Sequence, residues 1–538
     1  MSENGSASTF DPGTRDDRAA LFDFLVEKTR QRDAYVGLQE HPAYRAHPTG
    51  LDIIEEMGRH REELLDADTG EKLWFALLKI SNARRDRHMR VTPVEGGLQL
   101  SERQQRQLEA PIRFTVDYGH PHDRFFFIRD VAVGIESMTG GTSVPEPGDR
   151  LVAINGRTAP QHVEAMRPYH RYSNEDHFLW WLAGELTQTI NRVPHDEFYG
   201  DELRLELERR DGERYEVTLP YFKPDEINWA GHGERVYPGF SLVSELTGFE
   251  TFDLFLPDEP GLPVALLQWH RFPADLMQAM DALMDYAERH DLLDHAVIVD
   301  ATRSGGGARG AYAVQRLQPR PFRTTFGNLK VSDLMQRWVD EHMQRVRDGG
   351  DSEAVDGGGW QFDWLETDVR RAIDEGLLYT NDVPFKLAHL PRWSDGIVHP
   401  APVHFRGPLT VWMSPHGGSH LDQFGSQIVD NDLGHMIGMP CGGFSNSWEY
   451  EDVLRFPTTG RPIVKYMWSL GYTIRPNKQL LQYNPARPHE WFPQTRENCF
   501  DFHARLLART LRRLDLPFPT ALREWEAGQT GEMRVTRS

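Results

Sequence analysis

Two cysteines, Cys441 and Cys499, are all that 538 residues contain. Two thiols build neither a disulfide framework nor a cysteine zinc site, and no metal or cofactor is expected. Long apolar runs are missing too: no stretch approaches eighteen uncharged apolar residues, which argues against a membrane-spanning helix. The start, MSENGSASTFDPGTRDD, has no basic segment followed by an apolar one, so no signal peptide is expected and a cytoplasmic location is the default. Positive charge is in deficit. A formal net charge of -21 weighs against general nucleic-acid binding and against adhesion to anionic lipid. Lysine is scarce among the basic residues, with Lys72, Lys79, Lys223 and Lys465 among the few. No internal repeat is visible.

What is present is the composition of a globular protein, 39% hydrophobic and 26% charged, in a chain long enough for two to four domains. Apolar residues at three- and four-residue spacing predict helices in DRAALFDFLVEKTRQRD, LDIIEEMGRHREELLD and EKLWFALLKISNARRDRHMRV, the last breaking around Asn82–Arg87. From 111 to 223 the period changes to alternation, and IRFTVDYG, RFFFIRDVAVGIE, DRLVAING and ELRLELERRDGERYEVTLPYF read as strands. EDHFLWWLAGELTQTINRV interrupts them as a helical insert. The polar stretch PDEINWAGHGER, 224–235, reads as a connection. Beyond 240, GLPVALLQW, a helical PADLMQAMDALMDYAERHDLL and HAVIVDA give strand–helix–strand with continuously apolar strands, the pattern of a parallel sheet covered by helices. RDGGDSEAVDGGG, 347–359, reads as a linker inside a long insert at 311–400, after which GPLTVWM resumes the sheet.

Two segments carry candidate chemistry. In PHGGSHLDQF, 415–424, Ser419 follows a buried strand and opens a helix. Ser419 and Asp422 also spell a capping box, so nucleophile and helix cap are both readings of the serine. In VIVDATRSGGGARG, Gly305, Gly307 and Gly310 formally match the dinucleotide pattern G-x-G-x-x-G. Four residues separate the strand from the first glycine and no acid follows at ribose-binding distance, so the match is weak. Glycines there suit converging backbone N–H groups better, as an oxyanion hole requires.

These segments resemble the tail-specific, or C-terminal-processing, serine protease family. VIVDATRSGGGARG resembles its strand-and-glycine signature, and GPLTVWMSPHGGSHLDQFGSQIVDNDLGHMIGMPCGGF its nucleophile segment, in particular that of the tricorn-protease branch. LWFALLKISNARRDRHMRV resembles the N-terminal helical segment that ends in Asp-x-His. EPGDRLVAINGRT resembles the middle of a PDZ domain, a module that adds extended peptides to a sheet edge. The resemblance covers most of residues 20–500 in the family's order. It implies an α/β protein with an N-terminal helical segment (1–110), a β-rich PDZ-like domain (111–223), an α/β core of the tail-specific protease, crotonase-like type (224–520) and a tail (521–538).

It implies a serine peptidase acting on peptides or unfolded protein segments. The Ser/Lys mechanism of one branch needs a lysine about 25 residues after the serine; none lies between Ser419 and Lys465, and position 444 is Phe. The tricorn branch uses a histidine, the place of His88, and histidine titrates where a serine's proton must be taken and returned. His416 and His420 flank the serine as competitors, and His420 stands where that branch has an aspartate. Gln482 occupies the place of the orienting acid, with Glu449 and Asp422 as substitutes. The implied oxyanion hole is Gly305 or Gly306 with the His420 amide. Gln482 and His420 together motivate an alternative, an inactive peptide- or ligand-binding protein on the same fold. A homo-oligomer is left open.

Overall fold

The computed structural model describes residues 10–37, 51–139, 143–348, 364–384, 395–446 and 448–535. Its central layer is a seven-stranded sheet, in the order Glu490–Trp491, His435–Gly438, Leu409–Met413, Ala296–Asp300, Val264–Trp269, Phe252–Pro257, Phe240–Leu242. The first five run parallel, with Leu266 opposite Ile298, Ile298 opposite Thr410 and Val411 opposite Met436; the last two are antiparallel additions. The middle strands are apolar at nearly every position because both faces are covered. Leu267, Val299 and Val411 pack with the helices Leu276–Arg289, Gly310–Leu317 and His420–Asp430. Leu266, Ile298 and Trp412 pack on the other side with Phe502–Arg513. Successive residues thus serve opposite layers, as the period of a strand dictates.

The β-rich region is an antiparallel sheet of Ile112–Asp117, Phe125–Val131, Arg150–Ile154, Glu202–Glu208 and Arg214–Pro220, with Arg157–Thr158 hairpinned to the third. Asn155 (φ 49°) and Gly156 (φ 81°) make that hairpin, a turn that demands positive φ at both central residues. The 224–235 connection does not run free. Ala230 N–H donates to Val131 O, Val133 N–H to Asn228 O, and Arg113 stacks on Trp229, so the segment is pinned along the sheet.

The N-terminal helices Arg15–Arg32, Ile53–Gly58, Arg61–Leu65 and Gly70–Asn82 start where oxygen-bearing side chains cap them: Thr14, Asp52 and Thr69 accept backbone N–H bonds at three of the four. Their apolar faces share one core with the β-rich sheet and with residues between 326 and 480, whereas the seven-stranded sheet keeps its own layers. Core membership therefore cuts across the boundaries at 111 and 224. Lys330, in the 311–400 insert, shows why: it is buried, and its ammonium donates to the carbonyls of Arg30, Asp33 and Val36, bolting the insert to the first helix. The linker read at 347–359 lies, from 349 on, outside the described residues. The stretch after 520, read as a tail, forms the helix Thr520–Val535, with Leu522 fully buried. Among the described residues no helix is long and apolar enough to cross a membrane.

A small three-stranded sheet completes the frame. Pro462–Ser469 pairs with Glu449–Arg455 on one side and with Val91–Thr92 on the other. Residues about 360 positions apart in the chain thereby share one surface.

Candidate active site

Strand Leu409–Met413 ends at the same edge as Ala296–Asp300, the carboxyl edge where open α/β sheets place their sites. The chain then turns through Gly417 and Gly418 into helix His420–Asp430. Ser419, at the corner, has φ 62° and ψ -123°. A non-glycine residue with such a φ costs on the order of 1–3 kcal/mol and persists only where surroundings enforce it. The enforcement is visible. Ser419 N–H donates to Phe444 O (2.8 Å), and the Asp422 carboxylate accepts from Gly443 N–H (3.0 Å) and Phe444 N–H (3.2 Å). The capping box read from Ser419 and Asp422 is thus not formed: the Ser419 hydroxyl accepts no helix N–H, and Asp422 is spent on the neighbouring loop. Burial pushes the Asp422 carboxyl up to about 7.

The glycine loop lies directly over the serine. A Cβ on Gly306 would stand 2.7 Å from Ser419 Cβ and 3.0 Å from Gly418 O, so only glycine allows this approach.

His88 arrives from the other side. Helix Gly70–Asn82 ends, Arg85 takes φ 47°, and the buried Arg84 fixes the turn by donating to Met467 O and Ser81 O. The Asp86 carboxylate accepts the His88 N–H (2.9 Å), and Arg90 O then accepts from Met467 N–H as the chain enters the small sheet. His88 Nε2 sits 3.0 Å from Ser419 Oγ. Behind the ring, Nδ1 is 3.2 Å from Glu449 Oε1 and 3.6 Å from Asp86 Oδ1. The Glu449 approach is of ion-pair length without the angle of a formed hydrogen bond. Asp86 is buried, and desolvation raises its carboxyl above the ordinary range. The Phe444 ring meets His88 edge-on at 5.0 Å. Hydroxyl, imidazole and carboxylate in series are the groups with which a hydroxyl is activated by general base.

The other residues picked from sequence divide. Glu449 reaches His88; Gln482 is bonded elsewhere, its Oε1 accepting from Ser445 N–H (3.0 Å) and its amide donating to Ser173 Oγ (3.2 Å). Gly305 N–H is committed to His270 O (2.7 Å), while Gly306 N–H has no acceptor among the described residues. The His420 ring turns away to take the Gly310 N–H on Nε2 and packs against Phe272. His416 stacks on Trp181 (5.4 Å), and burial lowers it to about 4. Lys465 lies 3.4 Å from Glu451 on the small sheet.

Sequence reasoning missed the helix Glu175–Glu185 as part of this site. Asn174, at its cap, donates to Cys441 O and Gly442 O; His177 meets Pro415 O (2.7 Å); Trp181 donates to His416 O (3.0 Å). The insert in the β-rich region thus clamps both loops around Ser419. The only sign in the sequence was His177 and the adjacent pair Trp180 and Trp181 within it. Among the described residues no group of three or more His, Cys, Asp or Glu is placed to hold a metal ion.

No family model matches the chain, and no curated protein matches it. Solved structures do. Mature CPAF is similar at a TM-score of 0.63 and 13% identity, covering 92% of this chain and 96% of its own. Mature CPAF complexed with lactacystin is similar at 0.63 and 14%, covering 93% and 98%. The photosystem II D1 C-terminal processing protease follows at 0.36 and 11%, covering 88% and 92%. The chain therefore has the fold of mature CPAF. The mixed α/β class expected from the sequence is the one observed.

Proposed function

We propose that the protein is a serine peptidase that hydrolyses peptides or unfolded protein segments. The observation that carries this reading is the 3.0 Å approach of His88 Nε2 to the hydroxyl of a serine held at positive φ between strand and helix. In this reading His88 takes the Ser419 proton as Oγ attacks the scissile carbonyl, then returns it to the leaving amine. Glu449 orients the ring and stabilises the imidazolium. The Gly306 N–H faces the developing oxyanion, and the N-terminus of the helix after Ser419, nominated above through the His420 amide, adds a favourable field. Gln482 no longer argues for an inactive protein, because it is buried and hydrogen-bonded to Ser445 and Ser173. That mature CPAF has been solved with lactacystin is consistent with a ligand-accepting site on this fold.

The β-rich region is the PDZ-like module of this proposal. A groove of about 530 Å³, lined by apolar Phe125, Phe126, Leu151, Val163 and Leu179 and by charged Arg124, Arg150, Glu164 and Arg167, offers a surface on this sheet for a peptide. A fluorophosphonate probe tests the central reading. Labelling at Ser419, lost in Ser419→Ala and in His88→Ala, is the expected result; well-folded protein that stays unlabelled from pH 6 to 9 overturns it.

A further inference from the structure

Asp86 is a buried carboxylate to which the proposed mechanism gives no task. It closes a tight turn on its own loop: Oδ1 accepts the N–H of His88, two residues on, at 2.9 Å. An aspartate tied down in this way has little freedom, and its side chain is 1% exposed. Glu449 is the opposite case, a longer side chain that is 30% exposed at the start of its strand. The His88 ring has both behind it. Nδ1 is buried, 3.2 Å from Glu449 Oε1 and 3.6 Å from Asp86 Oδ1, and is hydrogen-bonded to neither. One N–H thus stands between two acceptors, and a small turn of the ring aims it at either.

The far side of Asp86 supports the same reading. Its second oxygen, Oδ2, is buried and accepts no hydrogen bond from a described residue. Asn446 faces this carboxylate, itself buried, with neither end of its amide bonded to a described residue. Tyr35, Tyr483 and Arg171 also reach Asp86 from neighbouring loops. Buried polar groups left unmet are rare in folded proteins, and a cluster of them directly behind a reactive ring calls for a functional explanation. Desolvation raises the Asp86 carboxyl, and the charge of His88 is the largest influence drawing it back. A charge held away from water acts more strongly on a developing imidazolium than a hydrated one. Glu449 keeps part of its hydration, whereas Asp86 has almost none.

Building on the peptidase reading, we propose that Asp86 is a second positioning carboxylate for His88, sharing Nδ1–H with Glu449. Glu449 is the solvent-facing seat of the ring, and Asp86, backed by Asn446, is the buried one. Either carboxylate alone keeps the proton on Nδ1, so that Nε2 is free to take the Ser419 proton, and both face the imidazolium that results.

The rate at which a fluorophosphonate labels Ser419 tests this in a double-mutant cycle of Glu449→Gln and Asp86→Asn. Asparagine keeps an oxygen for the His88 N–H, so the turn is preserved. Asp86→Asn alone is expected to slow labelling by less than about 10-fold, because Glu449 remains. The double variant is expected to lose at least about 5-fold more than the product of the two single losses. A merely structural Asp86 gives losses that multiply, and that result, or a smaller combined loss, overturns the proposal. Should Asp86→Asn fail to fold, Asn446→Leu is the second probe. Its loss is expected to be at least about 3-fold larger in the Glu449→Gln background than in the parent, and equal losses overturn the proposal.

A further measurement does not depend on reactivity. In the Ser419→Ala protein carrying isotope-labelled histidine, the downfield Nδ1–H resonance of His88 reports a hydrogen bond to a carboxylate. It is expected to survive Glu449→Gln and to vanish when Asp86→Asn is added. Its loss in Glu449→Gln alone overturns the proposal, even with Ser419 labelled by fluorophosphonate. Its survival there, in a protein whose Ser419 is never labelled, leaves Asp86 in its place and removes the peptidase reading instead.

Discussion

The two halves of the site are built differently. The serine half is backbone packed on backbone: a strand end, two glycine-bearing loops and a helix N-terminus, with Gly306 against Ser419 Cβ and Phe444 O on the Ser419 amide. The histidine half is side chains on the margin of a small antiparallel sheet, where His88 and Glu449 are each partly exposed. Backbone packing admits one geometry, because a single added methyl collides. Side chains on a sheet margin admit alternatives. The lesson is that the serine half leaves a signature in sequence, while the carboxylate beside His88 is set by strand register. Glu449 faces the site because it opens a strand paired to Ser469, while Val91, three residues after His88, pairs with Tyr466 of that same strand.

The sharpest break in this contrast comes from attacking each half once. In the proposed mechanism His88→Ala removes the base, and it is expected to cut kcat/KM on the order of 10^4-fold, with little change in thermal stability because the ring is partly exposed. Gly306→Ala adds the methyl that meets Ser419 Cβ at 2.7 Å, and is expected to cost at least about 100-fold in activity together with about 1–3 kcal/mol of stability. Urea unfolding beside the kinetics checks both. Equal stability losses in the two variants would refute the contrast.

The next largest effect separates Glu449 from Gln482. Glu449→Gln keeps the shape but removes the charge 3.2 Å from Nδ1, and a loss of about 10- to 100-fold in kcat is expected, with KM held. Gln482→Leu leaves the Ser445 N–H and Ser173 hydroxyl without their partner inside the protein, so its expected signature is about 1–3 kcal/mol of stability and a smaller change in kcat. If Gln482→Leu cost more kcat than Glu449→Gln, the acid would have been assigned to the wrong residue.

Much of this was readable beforehand and some was not. The strands 264–269, 296–300 and 409–413 declared themselves by continuous apolar runs, and the Asn155-Gly156 turn by its composition. The Ser419 turn and His88 came from two motifs with local sequence context. The acid was open: spacing along the chain pointed first to Gln482, with Glu449 and Asp422 as substitutes, and the pairing of two strands sets Glu449 3.2 Å from His88. The capping box misled for a related reason. Asp422 had the right spacing to cap its own helix, yet two backbone N–H groups from 443–444 outcompeted it. Helix 175–185 was visible as a helix, but its grip on the loops at 415–416 and 441–442 depends on a docking that no local period encodes. The boundaries at 111 and 224 rested on where the period changes, and cores shared between distant segments leave no mark on that period.

A smaller effect, with a direction set by pH, concerns Asp422. Its carboxyl is raised by burial from the ordinary 3.8 to about 7. Between those values the folded protein holds a proton that the unfolded chain has released, so this group's contribution to stability is lost as pH rises through about 7. Asp422→Asn cannot titrate, and its amide leaves one of the two N–H groups of 443–444 unsatisfied, at about 1–3 kcal/mol. The stability gap between wild type and Asp422→Asn should therefore narrow from pH 5 to pH 8, followed by urea unfolding at each pH. A gap that widens would mean that the carboxylate is held ionised instead.

The smallest expected effect is that of Lys465→Ala, and its smallness is the point. Lys465 lies on the same small sheet as the histidine half, opposite Thr92, and is the nearest lysine in sequence after Ser419. A Ser/Lys mechanism would need that amine desolvated against the hydroxyl, so that it is neutral and able to take a proton. The side chain is instead 45% exposed and lies 3.4 Å from Glu451. An exposed lysine in an ion pair lacks the desolvation that the role needs, and exposed pairs of this kind contribute about 0–1 kcal/mol. Lys465→Ala should leave kcat/KM within about 2-fold and stability within about 0.5 kcal/mol, measured on the same peptides and in the same urea series as His88→Ala. A loss of activity comparable to that of His88→Ala would place the base on the lysine and dissolve the distinction between the two halves of the site.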